Sequence, residues 1–296
     1  MKAKPPRPPP PALREVMLGW LRRVARSPHR DRLVLRGSLL TSAWCPNRPA
    51  ADVDHLVLGG FTHAAACELV DELLASPDDT TSFEPSTRTH EVIWPKTPTP
   101  GLRTTVMGRT RSSTGTLLQI DMGQGDDLVL PPVLTTIDGD ERARVMGVTP
   151  ETMYAWKTDG IFEFGHGSWR AKDLYDLWLI DRHVTLDHDA LVVATRAAFR
   201  DQGMELSVAD RLLFTEVWGA SRGSRRRWES FGRKSGLSGD LPPILDAVAA
   251  IRKRLLPVFA SLGHTSPTTS GALDGALGDD EETPGEQDGD EREPDE

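Results

Sequence analysis

The chain has 296 residues, long enough for two ordinary domains, and 38% hydrophobic with 27% charged residues suits a water-exposed globular protein. Its longest apolar stretches stay under ten residues, and the start MKAKPPRPPPPA lacks the apolar segment of a signal peptide, which argues against a membrane span and for a cytoplasmic protein. The net charge of −9 is unevenly placed: residues 265–296 hold twelve acids against one arginine, so the rest of the chain is mildly basic.

In chain order, the proline-rich residues 1–11 read as a disordered extended segment. ALREVMLGWLRRVARS places Val16, Trp20, Leu21 and Val24 on one face, with Arg22, Arg23 and Arg26 outside, which predicts a helix over about 12–27. RLVLR predicts a strand, Gly37–Ser38 opens a helix carrying Leu39, Leu40 and Trp44, ADVDHLVLG predicts a second strand, and a further helix starts at Thr62. Between 88 and 147 the runs THEVIW, RTTVMG, TLLQIDM and VLTTID, separated by Gly and Pro, predict an antiparallel or mixed sheet. After Thr149–Pro150 the pattern turns helical in PETMYAWKTDGIF, AKDLYDLWLIDRH, HDALVVATRAAFRDQG and PPILDAVAAIRKRLLPVF. The expected organisation is an α+β domain over 12–149, a helical domain over 150–263 and a disordered acidic tail over 264–296.

Side chains alternate along a strand, so Asp52 and Asp54 share a face while Val53 takes the other. Two carboxylates about 6.5 Å apart repel by roughly 2 kcal/mol at an effective dielectric of about 20. A cation between them removes that cost, and Mg²⁺ is the hard ion that carboxylate and phosphate oxygens share. A lone pair of acids at an exposed strand end is the ordinary alternative. Asp121 adds a third acid inside an apolar strand, and three converging carboxylates can hold the two-metal clamp of in-line nucleotidyl transfer. The Gly37–Ser38 turn at a helix start offers N–H groups and a hydroxyl to a triphosphate. Cys45 and Cys67 have neither metal nor disulfide spacing and read as free thiols, and His55 reads as a hydrogen-bonded core histidine rather than a ligand.

LVLRGSLLTSAW, DVDHLVL, LQIDMGQGD, ETMYAWK and WRAKDLYDLWLI, in that order over about residues 30–200, resemble the AbiEii/AbiGii toxin family of nucleotidyltransferases, within the DNA polymerase β-like superfamily. The resemblance implies a nucleotidyltransferase mixed sheet with flanking helices, followed by an all-helical module. It implies that Gly37 and Ser38 contact the triphosphate of an NTP, that Asp52, Asp54 and Asp121 ligate Mg²⁺, and that Lys157 neutralises phosphate charge. Asp121 is also placed to accept the attacking hydroxyl's proton. Asp173, beside Lys172 and Asp176, belongs to the catalytic set, steering Lys157 or binding sugar or base.

The implied activity is a toxin that transfers a nucleoside monophosphate to the 3′ end of tRNA and is paired with a winged-helix antitoxin. Arg222, Arg225, Arg226, Arg227, Arg233 and Lys234, with Trp228 and Phe231 interleaved, form a candidate RNA surface that Arg22, Arg23 and Arg26 extend. Two alternatives stay open on the residues: a small-molecule (aminoglycoside-like) or protein acceptor for the same chemistry, and a catalytically silent nucleotide- or RNA-binding regulator.

Overall fold

The computed structural model describes residues 11–264 except 47, 98, 126–127, 202–206, 208–212, 214–217 and 238, and only the backbone of 164–168 and 201. The proline-rich start and the acidic tail expected at the two ends therefore lie outside the described residues, apart from Pro11 and His264. Seven strands, β1 (Leu33–Arg36), β2 (Val53–Leu58), β3 (Thr81–Ile93), β4 (Gly101–Thr110), β5 (Thr116–Gly125), β6 (Val133–Ile137) and β7 (Asp140–Gly147), form one sheet in the order β3-β4-β5-β2-β1-β7-β6. The sheet is mixed: β2 runs parallel to β5 and β1 parallel to β7, and the remaining neighbours are antiparallel. Two pieces escape the sequence pattern, β7 and the first half of β3. Both carry many charged or polar residues, which hides the period-2 alternation.

Helix α1 (Pro11–Arg26) packs across β7, β5 and β4 through Val16, Met17, Trp20, Leu21 and Val24, all without solvent exposure. Burying side chains of this size contributes roughly 1.5–3 kcal/mol each. Arg22 and Arg23 do not lie outside the helix as their charge predicts; they are buried. Arg22 donates to Asp140 Oδ2 (2.7 Å) and Thr80 Oγ1 (2.6 Å). Arg23 donates to the carbonyls of Ser76 (2.7 Å), Gly19 (2.8 Å) and Thr81 (2.8 Å), with Phe83 under its guanidinium. A guanidinium enters a protein interior when its N–H groups find oxygens, and here the turn before β3 supplies them. These two arginines clamp α1 to the sheet and offer nothing to RNA.

Helix α2 (Gly37–Trp44) follows β1 without an intervening residue. Helix α3 (His63–Ala75) is capped by Thr62, whose hydroxyl accepts from Ala65 N–H at 3.2 Å. The sheet ends at Gly147, and among the described residues five helices follow: α4 (Pro150–Ser168), α5 (Ala171–His183), α6 (His188–Asp201), α7 (Arg222–Lys234) and α8 (Ile244–Ser261). Thr149 caps α4, with Pro150 in its first turn. Phe162, Phe199, Trp218 and Phe259 form an aromatic cluster between α4, α6 and α8, with ring centroids 5.6–6.1 Å apart. None of the described helices is long and apolar enough to cross a membrane.

Candidate active site

Sheet register builds the site. Asp54 on β2 lies opposite Arg36 on β1 and opposite Asp121 on β5, and Asp121 lies opposite Arg103 on β4. Residues paired across strands share a face, so one row reads Arg36, Asp54, Asp121, Arg103. Two like charges sit side by side in the middle and one cation closes each end. Asp52, in the bend just before β2, adds a third carboxylate. Val53 and His55 alternate to the opposite, fully buried face. There Trp20 Nε1–H donates to His55 Nε2 at 3.0 Å, and burial pushes the imidazole down to about 3, so His55 is a neutral core residue.

The Gly37–Ser38 turn touches this row directly. Gly37 has φ +73°, and a Cβ there would stand 2.0 Å from Asp54 Oδ2, so both conformation and space require glycine. Ser38 Oγ–H donates to Asp52 Oδ1 at 3.2 Å. No side chain caps α2, in contrast to α3, α4 and α7.

Asp52, Asp54 and Asp121 each present an oxygen within 4.8 Å of the others. Desolvation foremost, then the Asp52 and Asp121 charges, raises the Asp54 carboxyl to about 6 against the opposing pull of Arg36 and Lys172. Arg36 and Lys172 thus offset the burial and crowding of Asp54 only in part. Arg103 holds Asp121 through Nε–Oδ1 (2.9 Å) and Nη2–Oδ2 (2.8 Å), and Gln119 adds a third bond at 3.2 Å. Oδ2 accepts from both Arg103 and Gln119, but Oδ1 takes a single bond and keeps its second lone pair, so this grip orients Asp121 without closing it to a cation. A set of hard oxygen donors with surplus charge fits a divalent ion of the Mg²⁺ or Mn²⁺ kind.

Lys157 on α4 and Asp173 on α5 pair on the helical side of the cleft. Lys157 Nζ lies 3.0 Å from Asp173 Oδ1 and 2.6 Å from Asp176 Oδ2, and Arg48, in the loop after α2, forms a two-point pair with Asp176. Burial alone would lower Lys157 and raise Asp176; Asp176 and Asp173 outweigh it at Lys157, against the opposing charge of Arg48, and Lys157 and Arg48 outweigh it at Asp176, so Lys157 lies above and Asp176 below the ordinary value. The four charges cancel in pairs.

The cleft has a volume of about 360 Å³ and brings together Gly37, Ser38, Asp52, Asp54, Asp121, Lys157 and Asp173 from the sequence reading. Arg36, Arg48, Trp94, Arg103, Trp156, Arg170 and Lys172 also line it. Of these, the sequence reading had pointed only to Lys172, through its spacing. Arg36 has its Nε buried with no hydrogen-bond partner, and its guanidinium stands 5.8 Å over the Trp94 ring. Its place directly before Gly37–Ser38 was the available clue; Arg103 and Arg48 had none, because only the folded register brings them to Asp121 and Asp176.

The candidate RNA surface lies on α7, where Arg222, Arg225, Arg226, Arg233 and Lys234 are exposed. Arg227 is half-buried, 5.7 Å over the Trp169 ring. Trp228 is not free to stack on a base: it is buried against Tyr175 and Phe231 and donates to Pro242 O at 2.9 Å.

No curated protein matches the chain. Among solved structures, an antigenic nucleotidyltransferase-like protein from Paracoccidioides brasiliensis matches with a TM-score of 0.40 and 16% identity, over 67% of this chain and 92% of that one. Residues 20–250 match the family model described as "Nucleotidyl transferase AbiEii toxin, Type IV TA system". That span contains the acid row, the Gly37–Ser38 turn and the Lys157–Asp173 pair, and the chain belongs to this family of toxin nucleotidyltransferases.

Proposed function

We propose that the cleft transfers a nucleoside monophosphate from an NTP to a hydroxyl at the 3′ end of tRNA, with Asp52, Asp54 and Asp121 holding Mg²⁺, two ions in the full site. The observation that carries this reading is the convergence of those three carboxylates beside the uncapped start of α2. Bound there, the metal would polarise the reacting phosphate and ease loss of pyrophosphate.

The chain's own groups do the rest. The first N–H groups of α2 and the Ser38 hydroxyl receive the triphosphate. Arg36 and Lys172, with no carboxylate in ion-pair distance among the described residues, add positive charge along it. Lys157 spends two of its three donors on Asp173 and Asp176, leaving one for phosphate, and Asp173 acts by fixing that ammonium. Asp121, oriented by Arg103, takes the proton as the acceptor oxygen bonds to the α-phosphorus and the bond to pyrophosphate breaks. The residues 12–149 and 150–263 supply the two walls of the cleft.

A tRNA acceptor is supported by the exposed cations of α7, a helix whose Arg227 lies over the ring of Trp169, the residue before the cleft-lining Arg170. The type IV family setting implies an antitoxin; our reading makes it a winged-helix protein and places the action in the cytoplasm. Incubation with α-labelled NTPs and separate pools of RNA, protein and aminoglycoside tests the acceptor, because only the true one gains label. Label in tRNA that disappears with Asp54→Ala is expected. Label in another pool would replace the acceptor, and nucleotide binding without pyrophosphate release would leave a silent regulator.

A further inference from the structure

A second cavity of about 490 Å³ adjoins the cleft and shares Arg36, Trp156, Gly160 and Arg170 with it. Its remaining lining comes from the ends of β2 and β5 and the loop that follows (Leu56, Gln124, Leu128), from α4 (Thr152, Asp159, Glu163), and from α6, whose Ala194 and Ala197 keep the far wall low. The two cavities thus meet along one turn of α4, from Trp156 to Gly160.

Among the described residues nothing packs against Gly160 closely enough to require glycine. It lies in the interior of a 19-residue helix, where glycine is unfavourable. A Cβ at position 160 would meet nothing within 4 Å, whereas one at Gly19 or Gly108 would strike a neighbour at 2.0 or 2.5 Å. The missing side chain therefore opens space to the cavities rather than admitting another helix.

We infer that the second cavity is the nucleoside pocket, and that position 160 is glycine because the bound nucleotide crosses α4 there. The inference rests on the nucleotidyl transfer proposed for the cleft and deepens it. Charge decides which part of the substrate lies where. Of the described residues lining the second cavity only Arg36 and Arg170 are cationic, both at the shared boundary, and beyond them the wall mixes apolar residues with the uncharged Gln124 and Thr152 and the acids Asp159 and Glu163. Phosphates are repelled from such a wall and stay beside Ser38, Lys157 and Lys172. A base and sugar carry no charge, fit a space of this size, and find the Trp156 indole at the entrance as a stacking face. An RNA acceptor would bring further phosphates with it, which disfavours it as the occupant.

The test compares binding of NTPs and of inorganic tripolyphosphate to the full chain by calorimetry, in wild type and Gly160→Leu. The leucine side chain projects into open space, so it is expected to weaken NTP binding by roughly tenfold or more while tripolyphosphate changes by less than about twofold. Should Gly160→Leu fail to fold, Gly160→Ala serves. It favours the helix, is expected to hold or raise the melting temperature, and should still weaken NTP more than tripolyphosphate. Equal loss of both ligands, or no loss of NTP, overturns the inference. So does retained NTP binding with lost labelling of RNA, which would make the cavity an acceptor site. If the wild type binds no NTP at all, the reading of the cleft fails first, and the inference with it.

Discussion

The two charge clusters that face each other across the cleft are built on opposite terms. On the helical side, Lys157, Arg48, Asp173 and Asp176 pair among themselves, and the buried charges are repaid within the protein. On the sheet side, Asp52, Asp54 and Asp121 crowd together, and burial first, then the neighbouring carboxylates, holds Asp54 up at about 6 against Arg36 and Lys172. The first arrangement maintains a structure. The second stores repulsion that a proton or a bound cation relieves, the asymmetry expected between a scaffold and the proposed metal site.

The largest effect expected on the sheet side is on activity. Asp54→Asn keeps the shape against Gly37 but removes one ligand, and nucleotidyl transfer should fall about ten-thousandfold, roughly 5 kcal/mol of barrier, in a label-transfer assay. Without divalent cation the same variant should be at least as stable as wild type at pH 7. Because the folded pKa of Asp54 lies above its unfolded value, stability falls as pH rises from about 4 to about 6, and asparagine escapes that loss. A variant less stable than wild type would erase the contrast between the clusters.

Asp176→Ala probes the helical side and should do the reverse. It leaves Lys157 and Arg48 facing each other with half their partners gone, and chemical denaturation should show a loss of about 3–5 kcal/mol. A stability change below about 1 kcal/mol would mean the quartet is solvated in practice.

His55 sharpens the comparison within one strand, since it is Asp54's neighbour on the opposite face. Its folded pKa, about 3, lies below the ordinary 6.5, so stability is full above pH 6.5 and is lost as pH falls toward 3. The slope should be at most one proton, about 1.4 kcal/mol per pH unit, and should flatten in His55→Gln. An unchanged slope in that variant would show that His55 does not drive the acid limb.

The smallest effect belongs to charge that faces solvent. Arg225→Gln with Arg226→Gln should leave the melting temperature unchanged and reduce the salt dependence of tRNA binding by about two phosphate contacts. An identical salt slope would remove α7 from the RNA path.

How much of this was legible in the sequence follows from how local each feature is. Gly37–Ser38, Asp52 and Asp54 stand close together in the chain, and an acid in an apolar strand marks Asp121, so the acid row could be read from spacing. Lys157 and Asp173 came through the family resemblance. Their pairing had only been one option, and the fold supplies it by bringing α4 against α5. Arg103 and Arg36 became visible only with strand register, and Arg48 reaches Asp176 across 128 residues of chain. Charge misled where burial was satisfied: Arg22 and Arg23 looked like surface residues and are anchors, and Trp228 looked like a base platform and is core. The same error has one cause, since pattern reading treats a cation as exposed unless its hydrogen-bond partners are known.

Cation binding tests the central claim most directly: titrate Mn²⁺ or Mg²⁺ into the wild type and into Asp54→Asn at neutral pH, following heat and melting temperature. The wild type should bind the cation and melt higher with it, and the variant should do neither. A wild type indifferent to divalent cations, or a variant that binds them equally well, would contradict the account.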